Sequence, residues 1–84
     1  MNEEDIVEAL ADLEHERWSS WMEYLFEVST ENEDGSVTIP SDKVERWQRQ
    51  IDTPYDDLSD KEQESDRKEA RKTIALLKSV LKGD

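Results

Sequence analysis

Apolar side chains recur at helical spacing in three separate stretches of this chain, and the breaks between them limit what it can fold into. The first stretch predicts a helix from about Glu3 to Ser29. A loop from Thr30 to Pro40 follows, because Asn32, Asp34 and Gly35 favour turns. The apolar stripe of this first helix consists of Ile6, Leu10, Leu13, Trp21, Leu25 and Val28.

The second stretch predicts a short helix after Pro40. Ser41 or Asp42 is expected to cap it, with Glu45 completing a capping box. The helix must end near Thr53, because a residue that precedes proline avoids the helical region. Its predicted apolar stripe consists of Val44, Trp47 and Ile51.

The third stretch predicts a helix that starts at Ser59, where Glu62 completes a second capping box. The helix runs to about Lys82, and Gly83 follows as a terminator. Its inward stripe is predicted to consist of Ala70, Ile74, Leu77 and Leu81, flanked by Thr73, Leu76 and Val80.

These elements predict a single all-α domain over residues 1–84, with two long antiparallel helices and a short helix crossing them. Hydrophobic residues make up 33% of the chain and charged residues 40%, so the core must be small. We therefore expect modest stability, which self-association would increase.

Composition also limits the classes of function. The absence of cysteine excludes disulfides and thiolate zinc sites, and the N-terminus has no long apolar run, so we expect a cytoplasmic protein with no membrane span. The net charge of −12 argues against non-specific binding to DNA, RNA or anionic lipid.

Catalysis is not expected. His15 is the single histidine, and no second histidine at metal-ligand spacing accompanies it, so no metal or other cofactor is predicted. His15 beside Asp12, Glu14 or Glu16 is also readable as an acid–base pair, but no serine or cysteine nucleophile pattern accompanies it. A hydrogen-bonding structural histidine is the more common outcome.

Two motifs stand out: His15-Glu16-Arg17-Trp18, and Pro54 to Leu77, which begins Pro-Tyr-Asp-Asp-Leu and contains Asp66-Arg67. Together they resemble the ryanodine-receptor repeat, a small helical module found in tandem in calcium-release channels and as single copies in bacterial and phage proteins. The motifs match the family's His-Glu-x-Trp and its Pro-Tyr-x-x-Leu segment. The acidic stretch from Tyr24 to Ile39 departs from it, since the family's Gly-Trp-x-Tyr-Gly turn and basic loop are missing there.

The resemblance implies a role for particular residues. Tandem repeats in the channels hold an adenine nucleotide between them with tryptophans stacked on the base. It therefore implies that Trp18 stacks on a ligand, that Tyr55 lines the same edge, and that Asp66-Arg67 forms an internal frame facing the first helix. The other residues predicted to contact ligand are His15, Trp21, Arg46, Arg49 and Arg67, with Glu16 in the structural network. Phosphate contacts are expected from the basic side chains Lys43, Arg46, Arg49 and Arg67.

Two interpretations of function follow. In the first, the domain dimerises and binds an adenine-type nucleotide or a nucleotide-derived immune messenger without chemistry, a role suited to phage proteins that sequester such messengers. In the second, its acidic surface docks on a basic protein or mimics nucleic acid, and it has no small ligand. Association through charge should weaken strongly as ionic strength rises, whereas stacking should weaken less.

Overall fold

The computed structural model describes residues 2–82 and contains three helices, two long and one short. This confirms the predicted small, mainly α-helical architecture. A short hairpin and a single 3-10 turn, Tyr55–Asp57, occupy the connections. The elements in chain order are α1 (Glu3–Val28), β1 (Thr30–Glu31), β2 (Val37–Thr38), α2 (Ser41–Ile51) and α3 (Asp60–Lys82).

The chain divides into two compact units. Unit 1 contains the residues up to Trp18 together with those from Ser59 onward, so it is built from the first part of α1 and from α3. Unit 2 is the continuous stretch Ser19–Leu58, with the end of α1, the hairpin and α2. The prediction of one domain over residues 1–84 stays a prediction.

In unit 1, α3 begins with the predicted capping box. The backbone N–H and the hydroxyl of Ser59 both donate to Oε1 of Glu62, at 3.1 and 2.8 Å, and the N–H of Glu62 donates back to the Ser59 hydroxyl at 3.2 Å. Among residues 2–82, Glu62 alone is buried, with 8% of its surface exposed. This reciprocal pair fixes the first turn of α3. The predicted terminator, Gly83, lies outside the described residues.

The side of α3 that is half-buried differs from the predicted one. Thr73, Leu76 and Val80 are half-buried, and of the predicted inward stripe only Leu77 is half-buried as well. The other three predicted residues are exposed: Ala70, Ile74 at 52% and Leu81 at 63%. Two neighbouring rows on this helix have the same spacing, so the apolar pattern alone cannot choose between them. Arg17 of α1 donates hydrogen bonds to Glu69 and Thr73 of α3. These contacts turn inward the row that lies one position before the predicted one.

On α1 the predicted stripe is largely confirmed. Ile6, Leu10, Leu13, Leu25 and Val28 are all half-buried. The exception is Trp21, which is 60% exposed. Met22, the next residue along, is half-buried in its place.

The loop of unit 2 contains an antiparallel pair of two-residue strands, in which Thr30 faces Thr38 and Glu31 faces Val37. The sequence predicted a loop over this region. Gly35 has a φ of 89°, a conformation that glycine adopts without strain. Asn32 braces the turn by donating from Nδ2 to the hydroxyls of Ser36 and Thr38, at 3.0 and 3.1 Å.

Helix α2 begins at Ser41 but lacks the predicted side-chain cap. Its N-cap residue is Pro40, whose carbonyl accepts from the N–H groups of Lys43 and Val44 at 3.0 and 3.1 Å. The cap predicted at Ser41 or Asp42 is therefore wrong, because the N-cap lies one position before Ser41 and two positions before Asp42. The helix ends at Ile51, before Pro54, as predicted.

The predicted apolar stripe of α2 is only partly correct. Trp47 is half-buried, but Val44 is 41% exposed and Ile51 76% exposed. Lys43 and Gln50 are half-buried beside Trp47 instead. A lysine stem can cover apolar surface while its ammonium group reaches water, so a charged residue can occupy the inner edge of such a short helix.

Candidate functional site

In unit 1, the two rings of the first motif lie together on the surface of α1. His15 and Trp18 are one helical turn apart, with ring centroids 6.0 Å apart and planes inclined by 22°. Both residues are exposed, and 57% of the Trp18 surface is accessible. A flat indole that is accessible to solvent and has an aromatic neighbour is suited to stacking against a planar ligand.

Arg17, in the same motif, points the other way. Its side chain is only 13% exposed. Nε donates to Oε2 of Glu69 at 3.1 Å, Nη1 to Oε1 of Glu14 at 2.9 Å, and Nη2 to the hydroxyl of Thr73 at 2.5 Å and to the Glu69 carbonyl. One guanidinium group thus joins α1 to α3 at several acceptors, a geometry for which arginine is well suited.

The inward arginine also determines where Trp18 points. Consecutive helical residues are rotated by about 100° around the axis. With Arg17 held against α3, the next side chain is turned toward solvent, as its exposure shows. Sequence reasoning missed Arg17 as a structural residue, although it is the one basic residue among seven acidic residues between Asn2 and Arg17.

The predicted frame residues Asp66 and Arg67 lie in the exposed part of α3. Arg67 donates to Oε2 of Glu64 at 3.1 Å and to Oε1 of Gln63 at 3.0 Å, both on its own helix. The contact predicted from Asp66 or Arg67 to α1 stays a prediction. The contact that the structure shows between these helices has its donor, Arg17, on α1 and its acceptors, Glu69 and Thr73, on α3. Glu16, also predicted in this network, is exposed.

Two carboxylates of α3 lie in different environments. Hydrogen bonds from Arg71, at 2.6 Å, and from Arg67 lower the pKa of Glu64, which is on the surface. Partial burial acts to raise the pKa of Glu69, but the hydrogen bonds and charges of Lys72 and Arg17 outweigh it, so the pKa is lowered overall. Both carboxylates are therefore held ionised, which suits ion pairing and does not suit general acid catalysis.

In unit 2, one aromatic pair is used for packing. The rings of Tyr24 and Trp47 meet edge to face, with centroids 6.4 Å apart and planes inclined by 60°. Trp21 and Tyr55, both predicted to contact ligand, are accessible at 60% and 44%, and Tyr24 of the packed pair is also accessible at 43%. Accessibility is necessary for that role, and it distinguishes these two rings from Trp47.

The predicted phosphate-binding residues of unit 2 are also on the surface. Arg46 and Arg49 lie about one turn apart on α2 and are exposed. Arginine recognises phosphate through paired N–H groups, so two guanidinium groups on one helix offer a plausible anion contact. Arg49 also lies in the last turn of the helix, where its carbonyl accepts a hydrogen bond from the Thr53 hydroxyl at 2.6 Å.

Within residues 2–82, no group of three or more histidine, cysteine, aspartate or glutamate side chains is arranged to hold a metal ion. Across the same residues, none of the helices combines the length and apolar character needed to cross a membrane.

No protein-family model, curated protein or solved structure matches this chain. The likeness to the ryanodine-receptor repeat therefore rests on the two motifs themselves, and membership of that family stays a prediction.

Proposed function

We propose that this protein binds a small ligand, an adenine-type nucleotide or a nucleotide-derived immune messenger, and does no chemistry on it. The observation that carries the proposal is the exposed indole of Trp18, whose plane is inclined by 22° to that of the neighbouring His15 ring. Stacking of a base on an aromatic side chain contributes about 1–3 kcal/mol. An open indole face held on a regular helix can supply such a contact with little ordering cost.

The remaining predicted residues are candidates for further ligand contact, each within its own unit. Arg46, Arg49 and Arg67 are the candidates for phosphate, and Trp21 and Tyr55 are the candidates for further aromatic contact. His15 supports the Trp18 ring from beside it. Glu16 and Asp66 are assigned to structural roles rather than to ligand contact.

The biological role proposed is ligand sequestration in the cytoplasm by a homodimer. In the channels, two repeats hold one nucleotide, and two copies of this chain would replace that tandem pair. A phage protein acting against host immune signalling would need to sequester a nucleotide messenger.

Substitution of Trp18 tests the stacking role directly. Thermal shift and isothermal titration would be measured with adenine and guanine nucleotides, cyclic dinucleotides and ADP-ribose-type molecules. Loss of one stacked ring predicts that Trp18→Ala weakens binding roughly 5- to 100-fold. Phe26→Ala is the matched control, since Phe26 is an aromatic residue of α1 with 56% exposure, close to that of Trp18, and no predicted role.

Two outcomes would contradict the proposal. One is the absence of any melting shift across the whole ligand panel, because a ligand that binds only the folded state must raise stability. The other is unchanged affinity in Trp18→Ala. Recovery of the bound nucleotide unaltered after long incubation is expected, and its conversion to product would replace ligand binding with catalysis.

A second candidate function is supported by the charge of α1. Residues Asn2 to Arg17 include seven acidic and one basic side chain, and most of them are exposed. Such a surface can dock on a basic protein or mimic nucleic acid. Salt separates the two functions, since docking through charge weakens steeply between low and physiological ionic strength while aromatic stacking changes little.

A further inference from the structure

Helix α3 carries two parallel rows of side chains, and only one of them faces inward. The inward row is Glu69, Thr73, Leu76 and Val80, all half-buried. The second row, here called the outer row of α3, lies one position later. It consists of Ala70, Ile74, Leu77 and Leu81.

The outer row of α3 has the spacing of a helix–helix interface. Its members follow each other by four, three and four positions, which is the repeat that places side chains along one seam between packed helices. Ile74 and Leu81 are 52% and 63% exposed, and Ala70 is also exposed. Leu77 is half-buried, so unit 1 leaves three of the four members of the row exposed to solvent.

Helix α1 carries a shorter stripe of the same kind, here called the outer row of α1. It consists of Val7, which is 48% exposed, Ala11 and Trp18. Glu14 occupies the intervening seam position, where it pairs with Arg17 at 2.9 Å. The row ends at Trp18, so a partner on this stripe would border the proposed stacking residue.

The charges beside the two outer rows are opposite. Arg71 and Lys78 flank the outer row of α3, and Glu4 and Glu8 flank that of α1. The same contrast holds over longer stretches of equal length. Asn2 to Arg17 has seven acidic and one basic residue, whereas Arg67 to Lys82 has six basic and one acidic residue.

We propose that the occupant of these rows is a second copy of this chain. The outer row of α3 in one copy packs on the outer row of α1 in the other, with basic flanks against acidic flanks. A two-fold axis then repeats the same contact in reverse, so the outer row of α3 and the Val7 and Ala11 part of the outer row of α1 are covered in both copies, with Trp18 at the edge of the contact. Pairing α1 with α1 would instead bring two acidic flanks together, which like-charge repulsion opposes.

This interface rests on the two-copy assembly of the proposed function and does not depend on the ligand. The proposed interface specifies the surface of unit 1 through which two copies of the chain bind each other. Because both outer rows lie on unit 1, substitutions in unit 2 are expected to leave the assembly intact.

Analytical ultracentrifugation of the full chain tests the surface. The double variant Ile74→Glu with Leu81→Glu places charge on the outer row of α3 and is expected to shift a dimer to monomer, with the dissociation constant raised at least 100-fold. The matched control is Val44→Glu with Ile51→Glu, two exposed apolar residues of α2. The control is expected to dimerise as the native chain does.

A charge exchange tests which helix meets which. Arg71→Glu with Lys78→Glu should weaken the dimer, and adding Glu4→Lys with Glu8→Lys to the same chain should restore it. Circular dichroism verifies that each variant keeps its helix content. A native chain that is monomeric at its highest soluble concentration, a dimer that survives the outer-row variant, or failure of the combined exchange to restore it would overturn the proposal.

Ligand titration of the same samples keeps the two proposals apart. A dimer that responds to these substitutions as expected but binds no nucleotide contradicts the ligand function alone. Nucleotide binding by a chain whose dimer ignores the outer-row substitutions contradicts the interface alone.

Discussion

In unit 1 the contact between helices is made by charge and hydrogen bonding, whereas in unit 2 the corresponding contact is aromatic. Arg17 reaches Glu69 and Thr73 across unit 1. Tyr24 and Trp47 meet edge to face in unit 2. Both units lie in a chain with only 33% hydrophobic residues. The difference shows two ways to join helices when apolar side chains are scarce, and each way has its own sensitivity to mutation and pH.

The substitution expected to lower stability most lies in unit 2. Trp47→Ala removes half of the aromatic pair and leaves Tyr24 without its ring contact, so we expect a loss of about 2–3 kcal/mol in the free energy of unfolding. Trp21→Ala is the control, because its ring is 60% exposed, and should cost under about 1 kcal/mol. Urea unfolding followed by far-ultraviolet circular dichroism measures both. Equal losses would mean that burial does not distinguish the two tryptophans.

A smaller effect is expected in unit 1. Arg17→Met keeps the aliphatic stem but leaves the acceptors of Glu69 and Thr73 without their donor, which should cost about 1–2 kcal/mol. Arg71→Met is the matched control: Arg71 pairs with Glu64 on the surface at 63% exposure, so its loss should be barely measurable. The same urea titration applies. An equal response of the two arginines would remove the distinction between the polar contact of unit 1 and an ordinary surface pair.

The smallest expected effect is the change with pH in the stability that Glu69 contributes to unit 1. The pKa of Glu69 is lowered in the folded state from its ordinary value of 4.5. The folded protein therefore binds this proton less tightly than the unfolded chain does. The ionised Glu69 stabilises the fold fully at a pH above the ordinary pKa, and this stabilisation is lost as pH falls through the folded pKa. The stability difference between the native chain and Glu69→Gln should shrink as pH is lowered below 4.5. A difference that stays constant from neutral to acid pH would show that the charge of Glu69 does not stabilise unit 1.

Sequence patterns predicted helix positions better than helix faces. The capping box at Ser59 gave the start of α3, because it is a local interaction that needs no tertiary information. The faces of α2 and α3 were predicted less well. Ile74 and Ile51 are apolar residues at correct helical spacing, yet both are largely exposed. Which of two adjacent rows turns inward depends on contacts between helices, and Arg17 makes such a contact on unit 1.

The candidate site shows the same division. Trp18 stands out in the sequence as part of a motif, and its exposure agrees with a contact role. Arg17 lies in the same motif, but its partners are 52 and 56 positions away. Spacing along the chain carries no information about a contact at that separation. The sequence therefore predicted that an arginine of α3, Arg67, would contact α1. The structure shows in addition an arginine of α1, Arg17, that contacts α3.

The discontinuity of unit 1 has a consequence for the order in which the protein forms during synthesis. Unit 2 is one continuous stretch and is complete once Leu58 has been made. The first part of α1 emerges earliest, but its partner helix begins at Asp60 and is the last element to appear. Domains tend to fold as their residues leave the ribosome. The acidic beginning of the chain must therefore wait, unpaired with α3, while the segment after it is already able to pack.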